Sequence, residues 1–163
     1  MKEVNEKEAL LRLTALCARA EHCAWDMTEK MRRWGLDEEA QARVMAYLVA
    51  ERYVDEERYC RLFVREKVTH NRWGRRKVEQ ALMAKRIDRQ VYLPVLDSVD
   101  DADYLAALRP LLQSKRRTLR GLSDYEQNGR LVRFAMSRGF TMDIIRQCLD
   151  VDDDNGMEDG DDD

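Results

Sequence analysis

Three short stretches of this chain share one pattern, and their repetition limits the possible fold more than any other feature. The stretches are KMRRWGL (30–36), ALMAKRI (81–87) and FAMSRGF (134–140), which begin at intervals of 51 and 53 residues. Each reads as the end of a helix followed by an apolar residue. A repeat at this spacing is typical of chains built from tandem helical units, which bury their apolar faces by stacking.

The end of each stretch predicts where one helix stops and the next begins. Gly35 and Gly139 suit the left-handed conformation that closes a helix, and Arg86 occupies the equivalent position. The polar residues that follow suit helix N-caps: Asp37, Asp88 and Thr141. Apolar residues then recur at helical spacing after each stop. They are Ala40, Val44 and Met45; Val91, Val95 and Leu96; and Ile144, Cys148 and Leu149.

A longer helix is predicted before each of these helix pairs, which gives nine helices in an all-α chain. The repeats are expected at 9–54, 55–97 and 98–149, after a short N-terminal lead (1–8). Nine acidic residues fill the segment 150–163. A block of like charge buries too little apolar surface to offset its ordering entropy, so this tail is predicted to be disordered.

The third repeat contains a longer predicted connection, SKRRTLRGLSDYEQNG (114–129). Ser123 and Glu126 within it have the spacing of a capping box, in which each residue bonds the other's backbone N–H. Pro94 and Pro110 fall inside predicted helices, where each is expected to kink or end the helix because proline lacks a backbone N–H.

Composition favours helix and a cytoplasmic location. The chain has only 7 Gly and 2 Pro, and no run of strict polar and apolar alternation. It has no apolar run near the roughly 20 residues that cross a bilayer. The N-terminus lacks the apolar core of a secretory signal. We therefore expect a cytoplasmic protein without a membrane segment.

The cysteines and histidines give no pattern of a metal site. The four cysteines form no CxxC pair, and neither His22 nor His70 lies at ligand spacing from a second ligand. Cys17 and Cys148 fall on predicted apolar faces, where cysteine packs as a small hydrophobe. We expect reduced structural thiols, no metal and no cofactor.

Positive charge is concentrated in two segments of the chain. Residues 61–86 hold nine basic and two acidic side chains, and residues 109–138 hold eight and two. The body, 1–149, carries a net charge of +6, whereas the tail carries −9. Two cationic segments on a helical body favour a polyanionic partner or an acidic protein surface. The alternative is that these residues lie on solvated helix faces.

The stretch NRWGRRKVEQALMAKRI (71–87) suggests how such a partner would be bound. Gly74 is followed by Arg75, Arg76 and Lys77 at a helix start, where the helix dipole favours acids instead. Exposed backbone N–H groups and arginine forks together suit phosphate. Trp73 offers a plane for stacking unpaired bases, although a role as a core anchor is favoured for it. The candidate contacts are Arg65, Lys67, Arg72, Arg75, Arg76, Lys77, Lys115, Arg116, Arg117 and Arg120.

Catalytic signatures are absent from the sequence. It contains no Gly-rich phosphate loop, no HExxH and no Gly-x-Ser-x-Gly elbow. The many acidic residues fall on mixed-charge helix faces. We therefore expect a protein that is not an enzyme.

One region resembles a known family. The run AYLVAERYVDEERYCRLFVREKVTHNRWGRRKVEQALMAKRID (46–88) is similar to the core of the bacterial RecX family of regulatory proteins. The similarity lies in Tyr53, Asp55, Glu56 and Tyr59, in the helix around Phe63, and in the basic lead-in to Trp73 and Gly74. The run FAMSRGFTMDIIRQCL (134–149) resembles the last helix pair of the family. Arg86 departs from the glycine usual in the family, so this turn is expected to differ.

The resemblance implies a fold and a partner. Family members have tandem three-helix repeats that form an elongated, curved body. They bind the filament that the RecA recombinase forms on single-stranded DNA and modulate it, mostly negatively, in recombination and DNA repair. The resemblance thus implies RecA and its filament as partners, with weak DNA binding and a monomeric protein. The acidic tail has no counterpart in the family core.

Two other functions remain open. A helical DNA-binding regulator or architectural protein would place one helix pair in a duplex groove, but this chain has three similar pairs and no distinctive recognition helix. A purely protein-binding helical scaffold would need no basic segments. A preference for RecA-coated single strands, for a duplex site or for neither would separate these functions.

Overall fold

The computed structural model describes residues 4–149, and this range forms nine α-helices and no β-strand. The all-α fold predicted from the repeat is confirmed, whereas the predicted disordered tail (150–163) lies outside the described residues. The helices are α1 (Glu6–Arg19), α2 (Ala24–Arg33), α3 (Glu38–Ala50), α4 (Glu56–Thr69), α5 (Arg75–Ala84), α6 (Arg89–Asp97), α7 (Asp101–Arg117), α8 (Asp124–Ser137) and α9 (Met142–Cys148).

All three predicted helix stops have left-handed geometry. Gly35 has φ 79°, Arg86 has φ 55° and Gly139 has φ 91°. Asp37 accepts a hydrogen bond from the Ala40 N–H at 2.8 Å, and Asp88 accepts one from the Gln90 N–H at 2.8 Å. Thr141 is the N-cap of α9, but its side chain makes no capping bond. Local capping chemistry therefore sets these boundaries.

Arg86 keeps the left-handed turn where a different turn was expected. This geometry costs a residue with a Cβ roughly 1 kcal/mol. The Arg86 guanidinium lies 3.8 Å from the centroid of the Trp25 ring, and the neighbouring Lys85 forms an ion pair with Asp26 at 2.7 Å. These contacts offset the backbone strain, because a cation over a Trp face and a partly shielded ion pair each contribute favourably.

Both prolines lie inside helices that continue past them, so the predicted helix end is wrong at both, and a kink stays a prediction. α6 contains Pro94 and α7 contains Pro110. Each proline removes one backbone hydrogen bond, but apolar residues on both sides of it are buried. These flanking residues are Tyr92, Val95 and Leu96 in α6, and Ala107, Leu108 and Leu112 in α7. Packing of the apolar face outweighs the lost bond, since tertiary contacts supply most of a helix's stability in a protein.

The prediction of a long connection at 114–129 is wrong, because most of these residues are helical. α7 continues to Arg117 and α8 begins at Asp124, so only 118–123 connects them. Ser123 is the N-cap of α8, and its hydroxyl accepts from the Glu126 N–H at 3.2 Å, as half of the predicted capping box requires. The basic run of the connection therefore lies largely on the last turn of α7.

The chain divides into two compact units. Among the described residues, the first consists of 4–66 and 79–98, and the second of 67–78 and 99–149. The second unit thus includes the end of α4 and the start of α5. The division of the chain into three repeats stays a prediction.

The first unit is built around a continuous apolar core. Its buried members come from α1, α2, α3 and the turn after α3: Leu13, Met27, Met31, Val44, Leu48 and Val54. The start of α4 is tied to α2 by Glu56, whose carboxylate accepts a hydrogen bond from the Ala24 N–H at 2.7 Å. Since Cys23, the N-cap of α2, makes no side-chain cap, Glu56 takes over that role from another helix.

Candidate nucleic-acid interface

Most of the predicted contact residues lie in the second unit. Residues 67–78 and 99–149 hold 14 Lys and Arg against 6 Asp and Glu, a net charge of +8. Nine of the ten candidate residues belong to this unit, whereas Arg65 lies in the first. The middle of the first basic segment (67–78) and the whole of the second (109–138) therefore belong to one compact unit.

The first cluster of this interface is formed by Trp73, Lys67 and Lys77, and is called the Trp73 cluster below. The ammonium of Lys67 lies 4.9 Å from the centroid of the Trp73 ring, and that of Lys77 lies 4.6 Å from it. All three side chains are half-buried. The Trp73 N–H donates to the Lys67 carbonyl at 3.0 Å, which anchors the ring to the end of α4. Arg72 precedes the ring, exposed and left-handed at φ 56°.

The second cluster is formed by Phe134, Lys115 and Arg138, and is called the Phe134 cluster. Lys115, on the last turn of α7, lies 5.5 Å from the centroid of the Phe134 ring. The Arg138 guanidinium, at the end of α8, lies 5.3 Å from the same centroid. Both cations are within the range at which a ring face attracts positive charge. This cluster therefore joins the ends of two helices.

A backbone junction places the two clusters next to each other. The Gly74 N–H donates to the Arg138 carbonyl at 2.9 Å, and the Arg76 N–H donates to the Gly139 carbonyl at 2.9 Å. A Cβ at Gly74 would lie 2.2 Å from the Phe140 nitrogen, so only glycine allows this approach. Because Trp73 adjoins Gly74 and Phe134 lies one turn before Arg138, the clusters are neighbours.

The junction corrects one part of the sequence interpretation. The N–H groups of Gly74 and Arg76 are occupied by carbonyls, so they do not offer themselves to a phosphate as expected. The junction also explains the basic start of α5. The carbonyl end of α8 is the negative end of its dipole, and it lies against the first turn of α5, where it favours cations.

The other candidate residues differ in exposure. Arg76, Arg116, Arg117 and Arg120 are exposed, whereas Arg75 is half-buried. Arg116 and Arg117 lie with Lys115 on the last turn of α7, where the helix dipole also favours cations. A purely structural reason for basic residues thus exists at this helix end, beside the functional one.

Sequence reasoning missed Phe134 and Arg138 as parts of the interface. Both lie in the repeated stretch FAMSRGF, which was interpreted only as a helix end. Their position four residues apart was the available signal, because residues at this spacing lie on one face of a helix. What the sequence could not show is that Lys115, from α7, would lie on the same ring.

The residues that carried the family resemblance around 53–59 have structural roles in the first unit. Asp55 accepts a hydrogen bond from the Arg58 N–H at 3.0 Å, as an N-cap does, and Glu56 caps α2. Tyr59 is buried and its ring stacks on Phe63 with centroids 5.7 Å apart. Glu56 therefore links α4 to α2, whereas Asp55 and the stacked rings act within α4.

The cysteines among residues 4–149 are free thiols. Burial raises the pKa of the Cys23 thiol to about 11 and that of Cys60 to about 12, so both are protonated near neutral pH. A protonated thiol is a poor nucleophile and a poor metal ligand. These buried residues therefore act as core residues.

Neither a group of metal ligands nor a membrane-spanning helix is found among the described residues. Within 4–149, no group of three or more His, Cys, Asp or Glu side chains is placed to hold a metal ion. Among the helices of the same range, none combines the length and the hydropathy that crossing a bilayer requires.

Two family models match the chain. The model described as the second three-helix domain of RecX matches residues 55–92, and that of the third three-helix domain of RecX matches residues 101–149. The regulatory protein RecX of Halorhodospira halophila is 31% identical over 154 residues, which cover 92% of this chain and 91% of that protein. The RecX of Acinetobacter baylyi is 27% identical over 139 residues, covering 83% and 82%.

Other relatives are longer than this chain. The regulatory protein RecX of Clostridium botulinum is 28% identical over 123 residues, which are 74% of this chain but 57% of the relative. The chain thus spans little more than half the length of that protein.

Solved structures share the fold. The crystal structure of RecX from Lactobacillus salivarius superposes with a TM-score of 0.81 at 14% identity, over 89% of this chain and 94% of that one. A second crystal structure of regulatory protein RecX gives a TM-score of 0.82 at 16% identity, over 90% and 73%.

The fold and the two clusters define an all-helical protein with strong positive charge concentrated in one of its units. With the family models and the Halorhodospira relative, the class becomes specific. The chain belongs to the RecX family of regulatory proteins.

Proposed function

We propose that this protein regulates the RecA recombinase, mostly by inhibition, by binding the filament that RecA forms on single-stranded DNA. In this role it acts as a cytoplasmic monomer without enzymatic activity and modulates recombination and DNA repair. Membership of a family of regulatory proteins supports a regulatory role. The implied partner is the RecA filament.

The observation that supports the proposal is that residues 67–78 of the first basic segment and the whole second segment (109–138) belong to the second unit. A filament on single-stranded DNA presents both phosphates and protein surface. A net charge of +8 in residues 67–78 and 99–149 suits the phosphates. We propose that the ten candidate residues, together with Arg138, contribute to this contact.

The test is ATP hydrolysis by RecA on single-stranded DNA, measured with increasing amounts of this protein. We expect hydrolysis to fall and the protein to co-sediment with RecA-coated single strands. An excess of duplex competitor should restore little of the lost activity. If the protein ignores the filament and instead binds a specific duplex site, it is a groove-reading DNA regulator. If it binds neither in a salt-sensitive way, it is a scaffold.

A further inference from the structure

Both aromatic rings of the candidate interface are already covered by cations. Trp73 has two ammonium groups within 4.9 Å of its centroid, and Phe134 has an ammonium and a guanidinium within 5.5 Å. Both rings are half-buried. A nucleic-acid base would have to displace these cations before it could stack on a ring face that they cover.

A ring contact fixes a cation without neutralising it. A carboxylate partner would cancel the field of a lysine, whereas an aromatic ring carries no net charge and leaves the positive potential directed outward. It also restricts the rotamers of a long side chain before any ligand arrives. A ligand then loses less conformational freedom on binding, which is the general advantage of preorganisation.

We infer that Trp73 and Phe134 are positioning residues, which hold Lys67, Lys77, Lys115 and Arg138 as a preformed track for a chain of phosphates. The ligand class is a phosphodiester or polyphosphate chain, bound through its phosphates and not through its bases. This inference rests on the proposed function for its biological setting, because the track is placed on the surface that would face the filament. In this proposal Trp73 positions lysines and does not stack on bases, which differs from the stacking role considered from the sequence.

The junction at Gly74 makes the track continuous. The hydrogen bond from the Gly74 N–H to the Arg138 carbonyl joins the residue after Trp73 to a cation of the Phe134 cluster. Four cations from α4, α5, α7 and α8 are thereby held around one backbone contact. Phosphate groups recur at regular intervals along a strand, so a fixed array of cations can bind several of them at once.

The experiment compares three ligands by fluorescence anisotropy across a salt series. They are labelled oligothymidylate, an abasic oligonucleotide of the same length, and a linear polyphosphate of matched charge. We expect the abasic strand to bind within about twofold of oligothymidylate, since the bases contribute little. Equal binding of polyphosphate would assign recognition to phosphate alone, and preference for the abasic strand would add the sugar. Both results support the track.

Paired variants separate positioning from simple packing. Trp73→Leu and Phe134→Leu remove the ring faces, whereas Trp73→Phe and Phe134→Tyr keep an aromatic face at each position. We expect each Leu variant to weaken binding of all strands by about two- to fivefold, and each aromatic variant to retain most of the affinity. Circular dichroism checks that members of a pair fold equally well. Should one pair fail to fold, the other decides.

A third variant, in which two lysines are replaced, estimates the number of phosphate contacts from the salt dependence of binding. Lys67→Met with Lys77→Met should lower the slope of log affinity against log salt by about 1.4, because each phosphate contact on a single strand contributes about 0.7. The Leu variants should leave that slope nearly unchanged.

The inference is overturned if the abasic strand binds about tenfold more weakly than oligothymidylate. It is also overturned if Leu and aromatic variants behave alike. The outcome for RecA is separate. If the protein binds phosphate chains as described but has no effect on RecA, the proposed function is contradicted and the phosphate track is supported. If the protein inhibits RecA but binds none of the three ligands in a salt-sensitive way, the proposed function is supported and the phosphate track is contradicted.

Discussion

The two units use the same cationic side chains in different ways. In the first unit, cations pair with carboxylates: Arg32 with Glu29, Arg43 with Glu6, Arg58 with Glu21, Arg61 with Glu57 and Lys85 with Asp26. In the second unit, Lys67, Lys77, Lys115 and Arg138 lie against Trp73 and Phe134. Among the described residues, the first unit (4–66 and 79–98) holds 14 basic and 16 acidic residues, against 14 and 6 in the second (67–78 and 99–149).

The neighbour of a cation affects how strongly a surface attracts anions, because a carboxylate offsets the positive charge and an aromatic ring carries no net charge. The first unit also has cations over a ring, since Arg32 and Arg86 lie over Trp25. There, however, Asp26 adjoins the ring and pairs with Lys85. A net charge of −2 leaves that unit little attraction for a polyanion.

The largest expected effect comes from breaking the junction of the second unit. Gly74→Ala places a Cβ 2.2 Å from the Phe140 nitrogen, and backbone atoms cannot move away without losing the two junction hydrogen bonds. We expect a loss of roughly 3 kcal/mol or more in the free energy of unfolding, and a loss of DNA binding. Chemical denaturation followed by circular dichroism measures the free energy of unfolding, and fluorescence anisotropy measures DNA binding.

Gly129→Ala is the matched control for this change. Gly129 lies in α8, and an added Cβ would meet nothing within 4 Å. Alanine there should stabilise the protein by about 0.5–1 kcal/mol, because glycine loses more backbone entropy in a helix. If both variants are as stable as the parent, the close approach at Gly74 is not needed for the second unit.

The next effect tests the charge contrast between the units. Reversing Arg75, Arg76 and Lys77 to Glu should weaken inhibition of RecA by roughly tenfold or more, because three favourable charges become repulsive. It should also lower the salt slope by about 2, at about 0.7 per phosphate contact. RecA-driven ATP hydrolysis across a salt series measures both, with circular dichroism as the folding control.

The matched reversal lies in the first unit, where Arg32 and Arg33 are exposed at the end of α2. Changing both to Glu should leave inhibition nearly intact, because the surrounding unit is already slightly acidic. Equal effects of the two reversals would remove the contrast between the units. A folded triple variant that inhibits like the parent at every salt concentration would move the binding surface elsewhere.

A smaller effect is expected at Glu56, which ties α4 to α2 in the first unit. Glu56→Ala removes the acceptor for the Ala24 N–H and should cost about 1 kcal/mol, as the loss of an N-cap does. Glu56→Gln keeps an acceptor oxygen and should restore most of that stability. Neither variant should change DNA binding, which we assign to the second unit.

The pH dependence of this site follows from burial, which raises the pKa of Glu56 above its ordinary 4.5. The folded state then holds the proton more tightly than the unfolded chain. The carboxyl group therefore contributes more stability below pH 4.5, and this part is lost as pH rises through the higher folded pKa. Stability of Glu56→Gln relative to the parent should increase between pH 4 and pH 7 in urea unfolding. A constant difference would show that the charge at Glu56 is not desolvated.

The smallest effect concerns the acidic segment that follows α9. Ending the chain at Leu149 removes nine negative charges beside a second unit whose segments carry +8. Binding to single strands should tighten by about two- to fivefold at low salt, and the gain should shrink as the Debye length falls from about 30 Å to 10 Å. Replacing the nine acids with Asn and Gln is the control for chain length. Unchanged affinity at low salt would leave the tail without a part in binding.

Local rules made much of the fold predictable from the sequence. The stops at Gly35, Arg86 and Gly139 and the caps at Asp37 and Asp88 depend on interactions within a few residues, so the sequence contains the needed information. The apolar faces follow from helical spacing in the same way. The family resemblance rests on order and spacing along the chain, and the family models agree with it.

The path of α6 and α7 through their prolines was decided by packing, which local rules do not contain. Pro94 and Pro110 each weaken a helix locally, but buried neighbours such as Leu96 and Leu108 hold the helix in place. The basic residues predicted to lie in a connection, from Lys115 to Arg117, likewise lie on the last turn of α7.

The candidate site was predictable only in its composition. The sequence by itself determined that Lys67, Lys77 and Lys115 are basic residues near helix ends. The tertiary structure alone decided that the first two share the Trp73 ring, that Lys115 meets Arg138 over Phe134, and that the N–H groups at the start of α5 are taken by carbonyls. The junction joins residues about sixty positions apart, from Gly74 to Arg138. Such contacts depend on how the whole unit packs, whereas helix propensity and capping act only within a turn or two.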